Sequence, residues 1–210
     1  MAEIGEICIF RRPKMSTGIP FDDSPSQTTP SSSDSPGNPL EMISREHSEH
    51  LGLCDKLEEI ADSLPNNVDR NTCACAALAL RYRVGVHHAV EENALFPLLI
   101  TRVGNDMAFL RTLLRLQDEH RTDEGHCDEA VELLTSLSKG DQPENAEAAG
   151  YLLRGLFECM RRHIAFEEDH ILPKARKVLK ESDLRFLASY IAKTQIGRKA
   201  ACFDSTRRRD

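Results

Sequence analysis

The chain has 210 residues, with 34 acidic against 27 basic side chains, a formal net charge of −7, no tryptophan and 5% aromatic residues. That length is enough to bury a core, while the acidic balance argues against nucleic acid as a partner, which demands a basic face. No apolar run reaches the ~20 residues of a membrane span, and the stretch from Ile4 to Phe10 is too brief and too early for a signal-peptide core.

The seven cysteines, an odd number, suit reduced thiols better than a disulfide framework. The expectation is a cytoplasmic protein without nucleic-acid or membrane partners. From Thr17 to Pro39 the sequence is Ser, Pro, Thr, Asp and Gly with almost nothing apolar, too little to offset the entropy of folding. Residues 1–39 are therefore expected to form a disordered leader, a candidate docking segment for a protein partner.

From Leu40, residues Ile43, His47, Leu51, Cys54, Leu57 and Ile60 recur along one helical face until Leu64-Pro65-Asn66-Asn67 breaks it. Helix two is predicted from about Asp69 to Arg102, helix three from about Asn105 to Leu137, and helix four from about Glu144 to Lys180. Pro97 and Pro173 lie inside helices two and four, where each removes a backbone hydrogen bond and bends the axis. A short fifth helix from Ser182 to about Lys193 follows, then a flexible basic tail over 196–210 ending in Arg207-Arg208-Arg209. Short connections imply an all-α, up-down-up-down antiparallel four-helix bundle over residues 40–195, the fifth helix packed on it.

One frame occurs twice: His87-His-Ala-Val-Glu-Glu-Asn-Ala-Leu-Phe-Pro97 and His163-Ile-Ala-Phe-Glu-Glu-Asp-His-Ile-Leu-Pro173 share His-x-Ala-x-Glu-Glu-x-x-apolar-apolar-Pro. His87 with Glu91, and His163 with Glu167, stand four residues apart, on one helix face and able to grip one ion. A second echo precedes each copy, Glu46-His47 before Cys54-Asp55 and Glu119-His120 before Cys127-Asp128. With turns at Pro65, Gly104 and Asp141, His47 and His87 lie about 18 and 22 residues from the first, His87 and His120 about 17 and 16 from the second, and His120 and His163 about 21 and 22 from the third. At ~1.5 Å per residue these mismatches are about 6, 1.5 and 1.5 Å. All four histidines fall in one layer. Two carboxylates buried there without a cation would be costly.

Imidazoles with carboxylates suit iron, manganese or zinc, and two bridging carboxylates suit a pair of ions. The ordered set, His on helix one, His-x-x-x-Glu-Glu with Leu-Phe-Pro on helix two, Glu-His on helix three and His-x-x-x-Glu-Glu on helix four, resembles the bacterial hemerythrin-like, or HHE cation-binding, domain over roughly Leu40 to Lys180. The resemblance implies a four-helix bundle with a non-haem di-iron centre, carboxylate-bridged, in preference to manganese or zinc. It makes His47, His87, His120 and His163 terminal ligands and Glu91 and Glu167 bridges. It further implies a protein that binds, senses or responds to dioxygen, nitric oxide or peroxide, with iron storage or donation, repair of iron centres, or an iron-responsive signalling module as alternatives. Oxygen carriers of that family bring His-x-x-x-His from helix three, whereas this chain has Glu124 four residues after His120, so its site is richer in carboxylate.

Other assignments compete. His50 is an alternative to His47, although the Glu-His echo favours His47; His88 with Glu92 forms a second pair about 100° round the helix. Glu168 competes with Glu167, and Glu124 is a further candidate, as a ligand or as a group orienting one. His126 and His170 have no counterpart in the other copy and read as surface residues. Val90, Phe96, Ile164 and Phe166 could line a small apolar pocket, and Gly85 is either space for a ligand or a tolerated irregularity. Cys54, Cys127 and Cys159 fall toward one end of the bundle, as core fillers or as a thiol group that reports oxidation. No dedicated acid, base or substrate pocket is visible, which favours binding over catalysis, with peroxide dismutation the reaction an open di-iron site would support.

Overall fold

The computed structural model describes the backbone of residues 37–207 and the side chains of residues 37–195. The expected leader lies outside the described residues except for Gly37, Asn38 and Pro39. Among those described there are five helices and no strand. Helix α1 is Pro39–Ser63. Helix α2 spans 70–103 and α4 spans 146–178, each continuous through turns of changing pitch. Between them runs α3, Met107–Lys139, and α5 is Glu181–Arg207. This last helix outruns its expected end near Lys193, and the side chains of the expected tail lie outside the described residues.

Short polar side chains begin four of the helices. Asn38, Asp69, Asp106 and Asn145 accept the backbone N–H of Leu40, Thr72, Phe109 and Ala148 respectively, caps that contribute about 1 kcal/mol each. Gly104 and Gly140 end α2 and α3 at positive φ, 61° and 95°, where a Cβ would be strained.

Two turns of π-helix carry the repeated frame: Glu91–Leu95 in α2 and Glu167–Ile171 in α4. In them the N–H of Phe96 reaches the carbonyl of Glu91, and that of Leu172 the carbonyl of Glu167, five residues back. Pro97 and Pro173 come next. A proline ring collides with the carbonyl four residues before it, and the wider turn relieves that collision. The irregularity at each proline therefore begins as a local change of pitch at the frame's first glutamate.

The core is split. Leu53, Cys54, Leu57 and Ile60 of α1 pack with Cys73, Ala76 and Leu80 of α2, Cys127 to Leu137 of α3 and Leu153 to Met160 of α4. A second cluster joins Leu40 and Ile43 with Val90 to Leu99, Leu113, Leu116, Ile171, Leu172 and Ala175, and with Leu187 and Ile191 of α5. The start of α1 therefore meets the end of α2, the start of α3 and the end of α4, so the helices alternate in direction as expected. Between the clusters lies a buried polar layer: His47, His50, His87, His88, Glu91, His120, Asp123, His163 and Glu167. No helix among the described residues is long and apolar enough to cross a membrane.

Candidate metal centre

All six residues expected at the site meet in this layer. His47, His87, Glu91 and Glu167 offer donor atoms within 4.8 Å of one another, and so do Glu91, His120, His163 and Glu167. The two sets share both carboxylates, as a pair of bridged ions would require. Glu91 Oε1 lies 3.6 Å from His47 Nε2 and 3.3 Å from His87 Nε2, while its Oε2 lies 3.6 Å from His120 Nε2. Glu167 reaches His47 Nε2 at 3.2 Å and His163 Nε2 at 3.3 Å.

The outward nitrogens explain why the inward ones point as they do. His47 Nδ1–H donates to Glu168 at 2.7 Å, His87 Nδ1–H to Glu46 at 3.0 Å, His120 Nδ1–H to Glu92 at 2.8 Å and His163 Nδ1–H to Glu119 at 3.3 Å. A carboxylate only accepts, so each Nδ1 carries the proton and each Nε2 is free to present a lone pair to the layer. The partners close a ring: α1 supplies the glutamate for α2, α2 for α3, α3 for α4, and α4 for α1.

The inward donors meet only one another. His47 Nε2, His87 Nε2, Glu91 Oε2 and both oxygens of Glu167 are buried and make no hydrogen bond, a cost that native interiors rarely bear without a ligand. His120 Nε2 and His163 Nε2 stand 3.0 Å apart. Either a proton on one Nε2, donated to the other, or a metal ion held by both accounts for that spacing; two bonds of about 2.1 Å at a right angle would separate the nitrogens by about 3.0 Å. The donor set fits a metal.

Without a metal, protons supply the compensating charge. Burial works against charging His47, but the Glu167 and Glu91 carboxylates outweigh it and push its pKa up to about 9. His163 is likewise held back by burial and raised to about 9, chiefly by Glu167. Burial favours neutral Glu91, yet His87 and His47 hold it well below the ordinary carboxylate range. His50 and His88, without such carboxylate anchors, are driven by burial down to about 3 and about 2.

Position separates several of the competing candidates. Glu167 faces the layer and Glu168 anchors His47 from outside. His50 is buried edge-on to His87, ring centroids 4.9 Å apart. His88 is not peripheral but sits against His120, and one of its nitrogens makes a third close group with one each of His120 and His163. Glu124 is exposed, because the inward stripe of α3 runs through Leu116, His120, Asp123 and Cys127; the carboxylate that orients His120 is Glu92. His170 is exposed and His126 half-buried. Gly85 faces solvent, with nothing within 4 Å of where a Cβ would stand, so it makes no room for a ligand. Spacing alone missed the roles of Glu46, Glu92, Glu119 and Glu168, although the repeated Glu-His and Glu-Glu pairs were the signal.

A cavity of ≈ 530 Å³ opens between α3 and α4, with Thr122, Asp123, Cys159, His163 and Phe166 in its wall. Of the expected apolar pocket only Phe166 lines it. Val90, Phe96 and Ile164 are packed in the interior, Phe96 lying almost parallel to His120 at 5.9 Å.

Residues 38–175 match the family model described as the hemerythrin HHE cation-binding domain. No individually curated protein matches the chain.

Proposed function

The chain belongs to the hemerythrin HHE cation-binding family, and from that premise we propose that it is a cytoplasmic non-haem di-iron protein that binds and responds to a small oxidant, dioxygen, nitric oxide or peroxide. The observation that carries this reading is the pair of four-donor sets sharing Glu91 and Glu167. His47 and His87 would hold one ion, His120 and His163 the other, with the two glutamates bridging. Imidazole and carboxylate donors suit iron, and the four outer glutamates raise the basicity of the imidazoles that would bind it. When bound, iron supplies redox chemistry and an open position for the oxidant. The chain's own part is to fix the donors, keep Nδ1 protonated and Nε2 bare, and hold the layer between two apolar clusters.

Metal analysis with an optical spectrum, taken before and after dioxygen, peroxide or nitric oxide, tests the proposal. Two irons per chain with ligand-to-iron charge-transfer bands that respond to the oxidant support it. One zinc and an unresponsive spectrum refute it. A second reading, iron storage or donation, draws support from Asp118, Glu119 and Asp123 in the wall of the cavity that reaches His163; facile release of iron to a chelator would favour it.

A further inference from the structure

His88 follows His87 by one residue, a step of about 100° round α2, which turns it from the α1 side of the layer to the α3 side. It is 6% exposed. Its ring lies parallel to that of His120, centroids 3.9 Å apart and planes 6° apart, and 6.0 Å from that of His163. Proximity alone would make it a third imidazole for the ion held by His120 and His163.

The stacking geometry argues otherwise. An imidazole lone pair lies in the plane of its ring, so an ion bound to His120 lies in the plane of His120. It would then stand off the parallel plane of His88 by most of the 3.9 Å stack, out of line with any lone pair of that ring. Nδ1 of His88 is nonetheless buried and without a hydrogen bond. Each of the four anchored histidines gives its Nδ1 proton to a glutamate, and His88 has no such partner. An unpaired buried nitrogen is costly to keep. Its counterpart in the other half, His50, stands edge-on to His87 and leaves no fully buried nitrogen unpaired.

We propose that His88 is the hydrogen-bonding partner for a small exogenous ligand taken up at the His120/His163 half of the layer. The inference rests on the metal-holding reading above and makes the two halves unequal: one has a waiting polar group and the other does not. The ligand class is a small anion or diatomic with an atom able to share a hydrogen bond. His88 thus acts beside the ion and does not bind it.

Inorganic azide serves as the probe, titrated by visible absorption into the full-length, iron-loaded, oxidised protein, with iron content measured on the same samples. His88→Phe keeps a flat ring against His120 and removes both nitrogens. Two irons per chain are expected to remain while the azide dissociation constant rises about tenfold, the scale of one lost hydrogen bond. His88→Asn, polar but too short to reach, carries the same expectation should the phenyl ring not be accommodated. Azide affinity equal to wild type overturns the proposal, and so does iron falling to one per chain, which would make His88 a ligand. Wild-type protein that holds fewer than two irons overturns the underlying reading and this proposal with it.

Discussion

Glu46 immediately precedes His47 yet accepts its hydrogen bond from His87 on the next helix, at 3.0 Å from Nδ1. Adjacent residues on a helix point about 100° apart, so a Glu-His pair cannot support itself and serves two neighbours. The same offset relates Glu119 to His163 and supplies half of the ring of carboxylates around the layer, Glu92 and Glu168 supplying the rest. Outer partners of this kind typically govern metal affinity by 10–100-fold. Glu46→Ala and Glu119→Ala are each expected to weaken metal binding by about that factor in a chelator competition, with the helical circular dichroism unchanged. Full retention of affinity in both would deny the ring a role.

Glu91 and Glu167 belong to both four-donor sets, whereas each of the four anchored histidines belongs to only one of those two. Glu91→Ala is therefore expected to deplete both ions together. His47→Ala is expected to impair one position more than the other. Metal-to-protein ratios under limiting chelator distinguish the cases; a glutamate variant that loses only half of its metal would contradict bridging.

The six inward residues were legible because two periodicities agreed, the four-residue spacing within each frame and the matched distances from the turns. What spacing could not reveal was angular phase. Glu124 looked equivalent to Glu91 at four residues from a histidine, but α3 turns inward at the third residue, so Asp123 is buried instead. The π-helical turns were hidden too, since a proline announces a disrupted helix without saying which preceding turn will widen. Alignment of the two copies does not point to His88, because isoleucine, Ile164, stands at the matching position. The repeat identifies what the halves share and is blind to where they differ.

The polar layer interrupts the core, and without a cation its carboxylates depend on imidazole protons for compensation. A ligand bound only by the folded state stabilises it by RT ln(1 + [L]/Kd), about 4 kcal/mol at a thousandfold excess over Kd. Removing metal with a chelator is expected to lower the thermal midpoint by several degrees, and restoring iron should recover it. Coincident melting curves would show that the layer is stable without a metal.

Burial decides among the thiols. Cys54 and Cys127 lie inside one apolar cluster, and burial, the leading cause for both, pushes their pKa up to about 12, leaving almost no reactive thiolate at neutral pH. Cys159 is half-buried in the wall of the α3–α4 cavity, with Arg162 donating to its Sγ at 3.2 Å. Of these three, a thiol reagent at pH 8 is expected to modify Cys159 first, as read by peptide mass. A Cys54–Cys127 crosslink forming in the folded protein would restore the oxidation-reporting role instead.

Helix α5 is tied to the end of α2 by Asp183, which accepts from Arg102 Nε and Nη2 at 2.7 and 2.8 Å and from the backbone N–H of Lys180 at 2.8 Å. Arg102 first, then that N–H, hold its carboxyl at about 2, below the ordinary 3.8. A depressed folded-state pKa stabilises the fold fully above the unfolded value and loses that contribution as pH falls through the folded one. The destabilisation caused by Asp183→Asn in urea titrations is accordingly expected to be full at pH 5 and to shrink between about pH 4 and pH 2, where the wild-type carboxyl becomes neutral like the amide. A difference between the two proteins that stayed constant down to pH 2 would mean that packing by Leu187 and Ile191, and not this charge pair, holds α5 in place.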